Sequence, residues 1–305
     1  MMPVALTKTD CSEVSRRILA LLIALSGSCV WSQSAAPVQS EPDQSWAGQR
    51  IVTLRGFGDY FALGANGQPR LVNPEGLGVN IVAVVAKVEG DRIWIGANGA
   101  GNQPVGWVNK GDAILLDNAV PYFTSRIQSS PKDWDAYLRR AESEHSLNQR
   151  DAAIADYRRA IELHPNEPFL FLRRGREYRI VAAKAPDAAS KACAQAAGDF
   201  QEAARLSPRW AEAYIQAAGV YADCPDPAGR DPEKAIALIQ RAIALSTNPT
   251  YLTVLALAYS RAGNLERAVT TQKQALESPG FPPGYREEAL RQLQGYQSAL
   301  AMQKR

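Results

Sequence analysis

Two histidines, His145 and His164, are all the imidazole this 305-residue chain carries. Neither stands near a second ligand or a nucleophile at a recognisable spacing, so histidine-based metal ligation and triad chemistry have no foundation in the sequence. A glycine-rich phosphate loop is missing as well. No cofactor or metal is expected, and the chain reads as non-catalytic. It also lacks an excess of either charge. The net value of +3 includes Arg16 and Arg17, so the remainder is close to neutral and has no electrostatic footprint for nucleic acid. The apolar run Ile18–Leu25 is too short to span a bilayer.

What that run does fit is export. Arg16-Arg17 precede it, and the small residues Ser26-Gly-Ser-Cys29 and Ser32-Gln-Ser-Ala-Ala36 follow it, which is the order of a secretory signal over residues 1–36. Cleavage sites after Ser28, after Ser34 and within Ser34–Ala36 all fit. Leu25-Ser-Gly-Ser-Cys29 loosely resembles a bacterial lipobox, with the large apolar residue one position too far from Cys29. The paired arginines resemble a twin-arginine signal. The expected location is the periplasm or cell envelope, or secretion, with membrane attachment only if Cys29 is lipidated or the signal stays uncleaved. Cys11 would leave with the signal.

Residues 37–47 are polar, proline-containing and aperiodic, and read as a linker. Residues 48–118 then carry short β-rich runs: Ile51–Leu54, Val79–Val88, Arg92–Ile95, Gly106–Val108 and Ala113–Leu116. Turn signals separate them at Ala65-Asn-Gly67, Glu89-Gly-Asp91 and Ala97–Gly101. Five short strands over this length predict a small antiparallel barrel. The segment Gly106-Trp-Val-Asn-Lys-Gly-Asp-Ala-Ile-Leu-Leu116 resembles the closing part of bacterial SH3-like domains, and the hairpin from Val84 to Ile95 fits the same plan. Residues 119–133 then read as a connecting helix and linker.

From Trp134 the period becomes helical and repeats. The first copy, about 134–167, has Tyr137, Ala141, Ala153, Tyr157, Ala160 and Pro165. The second, about 168–208, has Phe171, Gly175, Tyr178, Ala196, Phe200, Ala203 and Pro208. The third, about 209–247, has Tyr214, Ala218, Tyr221, Ala235, Ile239 and Ala242. The fourth, about 248–281, has Leu252, Ala256, Tyr259, Ala268 and Ala275. Small residues at these spacings let helix backbones approach while aromatics fill the gaps, so units that cannot bury their own faces stack into a solenoid. The pattern resembles the tetratricopeptide repeat. Two inter-helix stretches, Ile180–Gln195 and Asp223–Asp231, are longer than that pattern. Residues 283–305 offer Leu290, Leu293, Tyr296 and Leu300 as a capping helix. The combination of an SH3-like barrel with these repeats resembles proteins of planctomycete-type bacteria.

The resemblance implies a concave groove lined by the first helix of each repeat. Its candidate peptide-binding residues are Leu138, Glu142 and His145, then Phe169, Leu172, Arg176 and Arg179, then Ile215, Thr253 and Leu257. The apolar and basic members suit an extended peptide with apolar and acidic elements; alternatively the arginines form a solvated face with Glu142 and Glu177. Trp94 and Trp107 either stack a peptide or glycan or complete the barrel core. Antiparallel stacking brings Cys193 and Cys224 to one edge, as a disulfide or as two free thiols. The expected role is an exported adaptor for a protein or peptide; the alternative is cell-envelope attachment, with the barrel on peptidoglycan or another glycan and the repeats as spacer.

Overall fold

The computed structural model describes residues 45–54, 61–63, 69–71, 82–95 and 106–304. The signal segment with Cys11 and Cys29 lies outside these residues, as do the turn signals at 65–67 and 97–101. Among the described residues seven strands open the fold: β1 (Arg50–Thr53), β2 (Phe61–Leu63), β3 (Pro69–Leu71), β4 (Val82–Glu89), β5 (Arg92–Ile95), β6 (Gly106–Asn109) and β7 (Ala113–Leu115). Five form an antiparallel sheet in the order β6-β5-β4-β1-β7, and β2 pairs with β3 separately. At the β4–β5 hairpin Gly90 takes the left-handed backbone, φ 56°, that a two-residue turn requires.

Strand period decides which side is buried. Ile51, Ala83, Val85, Val88, Ile93, Ile95 and Val108 share one core. A register shift between Val85 and Lys87 is a β-bulge, which is why inward-facing positions on β4 change from odd to even numbers after Val85. Trp46 packs on this core, and Gly48 N–H donates to the Val85 carbonyl at 2.8 Å. Folding therefore begins inside the stretch expected to be linker. Among the described residues no ladder joins the edge strands β6 and β7; only the 3-10 turn Lys110–Asp112 links them. The sheet is open where a closed barrel was expected.

Ten helices follow: α1 (Leu116–Ser129), α2 (Trp134–Ser146), α3 (Arg150–Leu163), α4 (Pro168–Lys184), α5 (Ala189–Leu206), α6 (Ala211–Asp223), α7 (Pro232–Leu245), α8 (Thr250–Arg261), α9 (Leu265–Glu277) and α10 (Pro283–Gln303). Side chains of Asp133, Asp231 and Asn264 accept from the first-turn N–H groups of α2, α7 and α9. Each helix from α2 to α9 packs on its neighbours in sequence, giving four antiparallel pairs stacked as a solenoid. The small residues sit at the contacts: Ala153, Ala160, Ala218, Ala235, Ala268 and Ala275 are all fully buried.

The Ile180–Gln195 stretch, expected as a long connection, is largely helical. Pro186 ends one helix in a 3-10 turn, and the alanine-rich sequence on both sides extends α4 and α5 instead of looping out. Asp223–Asp231 is a true loop built on a 3-10 turn at Pro227–Gly229. A disulfide between Cys193 and Cys224, Cα–Cα 6.1 Å, ties α5 to the start of this loop. In α10, Ala289 and Tyr296 are buried while Leu293 and Leu300 are half-buried against the last pair. Leu290 is exposed, because the contacting face runs through Ala289, Leu293 and Tyr296 at helical spacing. Among the described residues, no helix is long and apolar enough to cross a membrane.

Candidate functional site

The first helices of the four pairs are linked in turn, α2 to α4 by His145–Glu177, α4 to α6 by Arg176–Glu212 and α6 to α8 by direct packing, and the inner side of α2 is already occupied. Arg139 on α2 is buried; its Nη1 donates to the Thr53 carbonyl and lies 3.3 Å from Thr53 Oγ1. Arg50 on β1 donates to the Ser146 carbonyl at 3.0 Å. Val52 and Leu138 belong to one hydrophobic core with Phe123, Leu170 and Phe169. The sheet is thus packed onto the inner face of the first repeat. Two aspartates hold the joint: Asp133 and Asp135 accept from Arg126 on α1, and Asp135 also accepts from Arg139 at 2.8 Å.

This arrangement corrects the candidate groove. Leu138 is buried beneath the sheet. Phe169 joins the same core, with the Arg173 guanidinium 4.6 Å above its ring. Leu172 is buried in the core of the second and third repeats, and Ile215 in that of the third and fourth. These four are packing residues, because the inner-face apolar positions meet neighbouring elements before they meet solvent. Glu142 is buried too: it accepts from Tyr157 Oη at 2.6 Å and pairs with Arg173 Nε at 3.1 Å. Glu177 is held by Arg150 at 3.1 Å and His145 at 2.5 Å. The hydrogen bond to Glu177 raises the pKa of His145, with burial opposing. Neither glutamate pairs with Arg176 or Arg179, so the expected solvated face does not form around them.

What remains open lies on α4, α6 and α8. Arg176 is partly exposed and pairs with Glu212 at 2.8 Å. Glu212 also accepts from Gln216 Nε2 at 2.6 Å. Arg179 is exposed, and Gln216, Thr253 and Leu257 are half-buried. Sequence reasoning passed over Gln216 and Gly219; their place one turn and two turns beyond Glu212 on α6 was the available signal.

On the sheet, Ile93 and Ile95 point into the core, so Trp94 between them points out. Trp94 pairs across the ladder with Trp107, their rings edge to face at 5.4 Å, both half-buried. Arg92 lies 5.2 Å from the Trp107 ring centre. These tryptophans are therefore outside the sheet core.

Four stacked helix pairs with an open inner face define a helical-repeat scaffold. The tetratricopeptide repeat family model matches residues 135–167 and 249–279, which hold the first and fourth pairs. Among solved structures, the chain is similar to MamA: 21% identity, TM-score 0.46, over 55% of this chain and 89% of that one. It is also similar to a thermophilic tetratricopeptide protein of Thermus thermophilus: 23% identity, TM-score 0.45, over 61% and 91%. MamA from residue 41 onward of Desulfovibrio magneticus gives 17% identity and TM-score 0.46 over 53% and 84%. No curated protein matches the chain.

Proposed function

We propose that the protein is an exported adaptor whose open groove, on α4, α6 and α8, receives an extended segment of a partner protein. The observation that carries this reading is the division of the inner face: the sheet covers it at the first repeat, while Arg176, Arg179, Gln216, Thr253 and Leu257 stay accessible on the next three. Solenoids of this kind use such a surface for extended ligands. The Cys193–Cys224 disulfide supports export, because buried disulfides persist in oxidising compartments. The SH3-like reading of the sheet is supported by β6 passing through one 3-10 turn into β7.

The test is a photoreactive residue placed at Gln216 or Leu257 of the full-length chain in cells. Capture of the same partner segment from both positions supports the groove. No adduct from either, with the chain abundant and folded, sinks it.

A second reading has its own observation, the outward Trp94–Trp107 pair. Such a pair suits stacking on a glycan ring, so the sheet would anchor the chain to the cell wall. Because the sheet shares a core with α2, the whole chain is the right reagent. Binding to purified sacculi that is lost in Trp94→Ala or Trp107→Ala, with unchanged melting, would favour this reading over the groove.

A further inference from the structure

We propose that the groove reads one acidic side chain of its ligand and that Arg179, not Arg176, is the residue that reads it. This rests on the groove reading above and adds to it the chemistry of the bound segment. The two arginines lie one turn apart on α4, yet their surroundings differ. Arg176 is committed to Glu212, whose same oxygen also accepts from Gln216. Arg179 makes no hydrogen bond or ion pair among the described residues. Its Nη1 lies 3.7 Å from where a Cβ on Gly219 would stand, so the guanidinium rests over the bare backbone of α6.

Arg179 lines a cleft of about 420 Å³ together with Ile180, Ala183, Gly219 and Val220, and the Cys193–Cys224 disulfide forms part of its wall. The one carboxylate in that lining, Asp223, is held by Arg261 at 2.6 Å. The nearby carbonyls of Cys224 and Pro225 accept from Arg230 at 2.7 and 3.2 Å. Asp223 and these two carbonyls are thus held by other arginines, and Lys184 adds a second cation at the same place. Burial and the adjacent Arg176 hold the Arg179 pKa below its ordinary value, with Glu212 opposing. A cation beside a like charge, with no ion-pair partner among the described residues, gains from an arriving carboxylate, which it can bind through two parallel N–H donors. Ile180 and Ala183 offer apolar contact for the methylene stem of an aspartate or glutamate.

The experiment is selection of a phage-displayed random dodecapeptide library on the full-length, disulfide-bonded protein, in parallel for wild type, Arg179→Gln and Arg179→Lys. The wild type should enrich a motif with Asp or Glu in one column beside apolar columns. Arg179→Gln should lose the acidic column and keep the apolar ones, and Arg179→Lys should retain it. Replacing Glu by Gln in a selected peptide should weaken binding to wild type about 10- to 100-fold and leave Arg179→Gln nearly unaffected. An acidic column that survives in Arg179→Gln, or an apolar motif without one, overturns the assignment while leaving the groove intact. A wild type that enriches no motif contradicts the groove reading and this proposal together. Arg179 is exposed, so neither substitution threatens the fold, and matching melting curves check this.

Discussion

Arg139, on the first helix of the first repeat, reaches 86 positions back along the chain to donate to the carbonyl of Thr53 at the end of β1. Both residues are buried, so removing the Arg139 side chain leaves the Thr53 carbonyl without that donor. Arg139→Leu should therefore cost about 2–4 kcal/mol and speed amide exchange in β1 more than in α8 or α9. Chemical denaturation with residue-resolved exchange checks this; equal acceleration in β1 and α9 would mean that the sheet is not joined to the solenoid here.

Gly175 lets the Phe200 ring into the second repeat. A Cβ at 175 would stand 2.8 Å from Phe200 Cε1, and Phe200 is fully buried. Alanine normally gains about 1 kcal/mol over glycine in a helix, but overpacking costs about 1–3 kcal/mol and should win. Gly175→Ala is expected to lower stability by up to about 2 kcal/mol. Adding Phe200→Leu should recover part of the loss, and a double-mutant cycle showing no coupling would refute the contact.

Stability should fall as pH rises from acid toward neutrality, in contrast to what paired surface carboxylates produce. Burial and the neighbouring Asp156 push Glu144 up to about 7, with Arg140 opposing. Below that value the folded state keeps a proton that the unfolded chain releases near 4.5, so stability declines from pH 4.5 until Glu144 is ionised in both states. His145 acts in the same direction: its bond to Glu177 raises its pKa, and the stability from that pair is present below 6.5 and lost as pH climbs through the folded value. Glu144→Gln should raise stability at pH 8 by on the order of 2–3 kcal/mol and flatten the profile. Urea unfolding at pH 5 and pH 8 decides it; an unchanged slope in the variant would be incompatible with a neutral buried Glu144.

The disulfide closes a sequence separation of 31 residues. By chain-entropy reasoning its loss should cost about 3–4 kcal/mol. The effect should centre on the loop from Pro225 to Asp231, where Gly229 packs so near Cys224 that a Cβ there would lie 2.7 Å from Sγ. Thermal melting of Cys193→Ser/Cys224→Ser against wild type measures it, and a Tm unchanged within error would show that the bond carries no stability.

The repeat was legible because its contacts demand particular residues: alanine at 153, 160, 268 and 275 is the signature of backbones in close approach. The strand positions were legible from turn chemistry at Glu89–Asp91. The state of the groove was not. Leu138, Phe169, Leu172 and Ile215 have the same period whether they face solvent or a neighbouring element, and the element covering Leu138 comes from β1, far away in sequence. Helix extension through Ile180–Gln195 was masked by Pro186, which marks a break but not how short it is. Arg176 and Arg179 read alike in the sequence, because the pairing of Arg176 with Glu212 and of Asp223 with Arg261 is made between helices.

The inner face is divided: the sheet covers it at α2, and side chains on α4, α6 and α8 stay accessible. Hydrogen–deuterium exchange on the full chain, with and without the partner segment captured from Gln216 or Leu257, tests it most directly. Protection on α4, α6 and α8, with β1 and α2 unchanged, is the predicted result. Protection confined to β4–β6 around Trp94 and Trp107, with the three helices unaffected, would contradict the account.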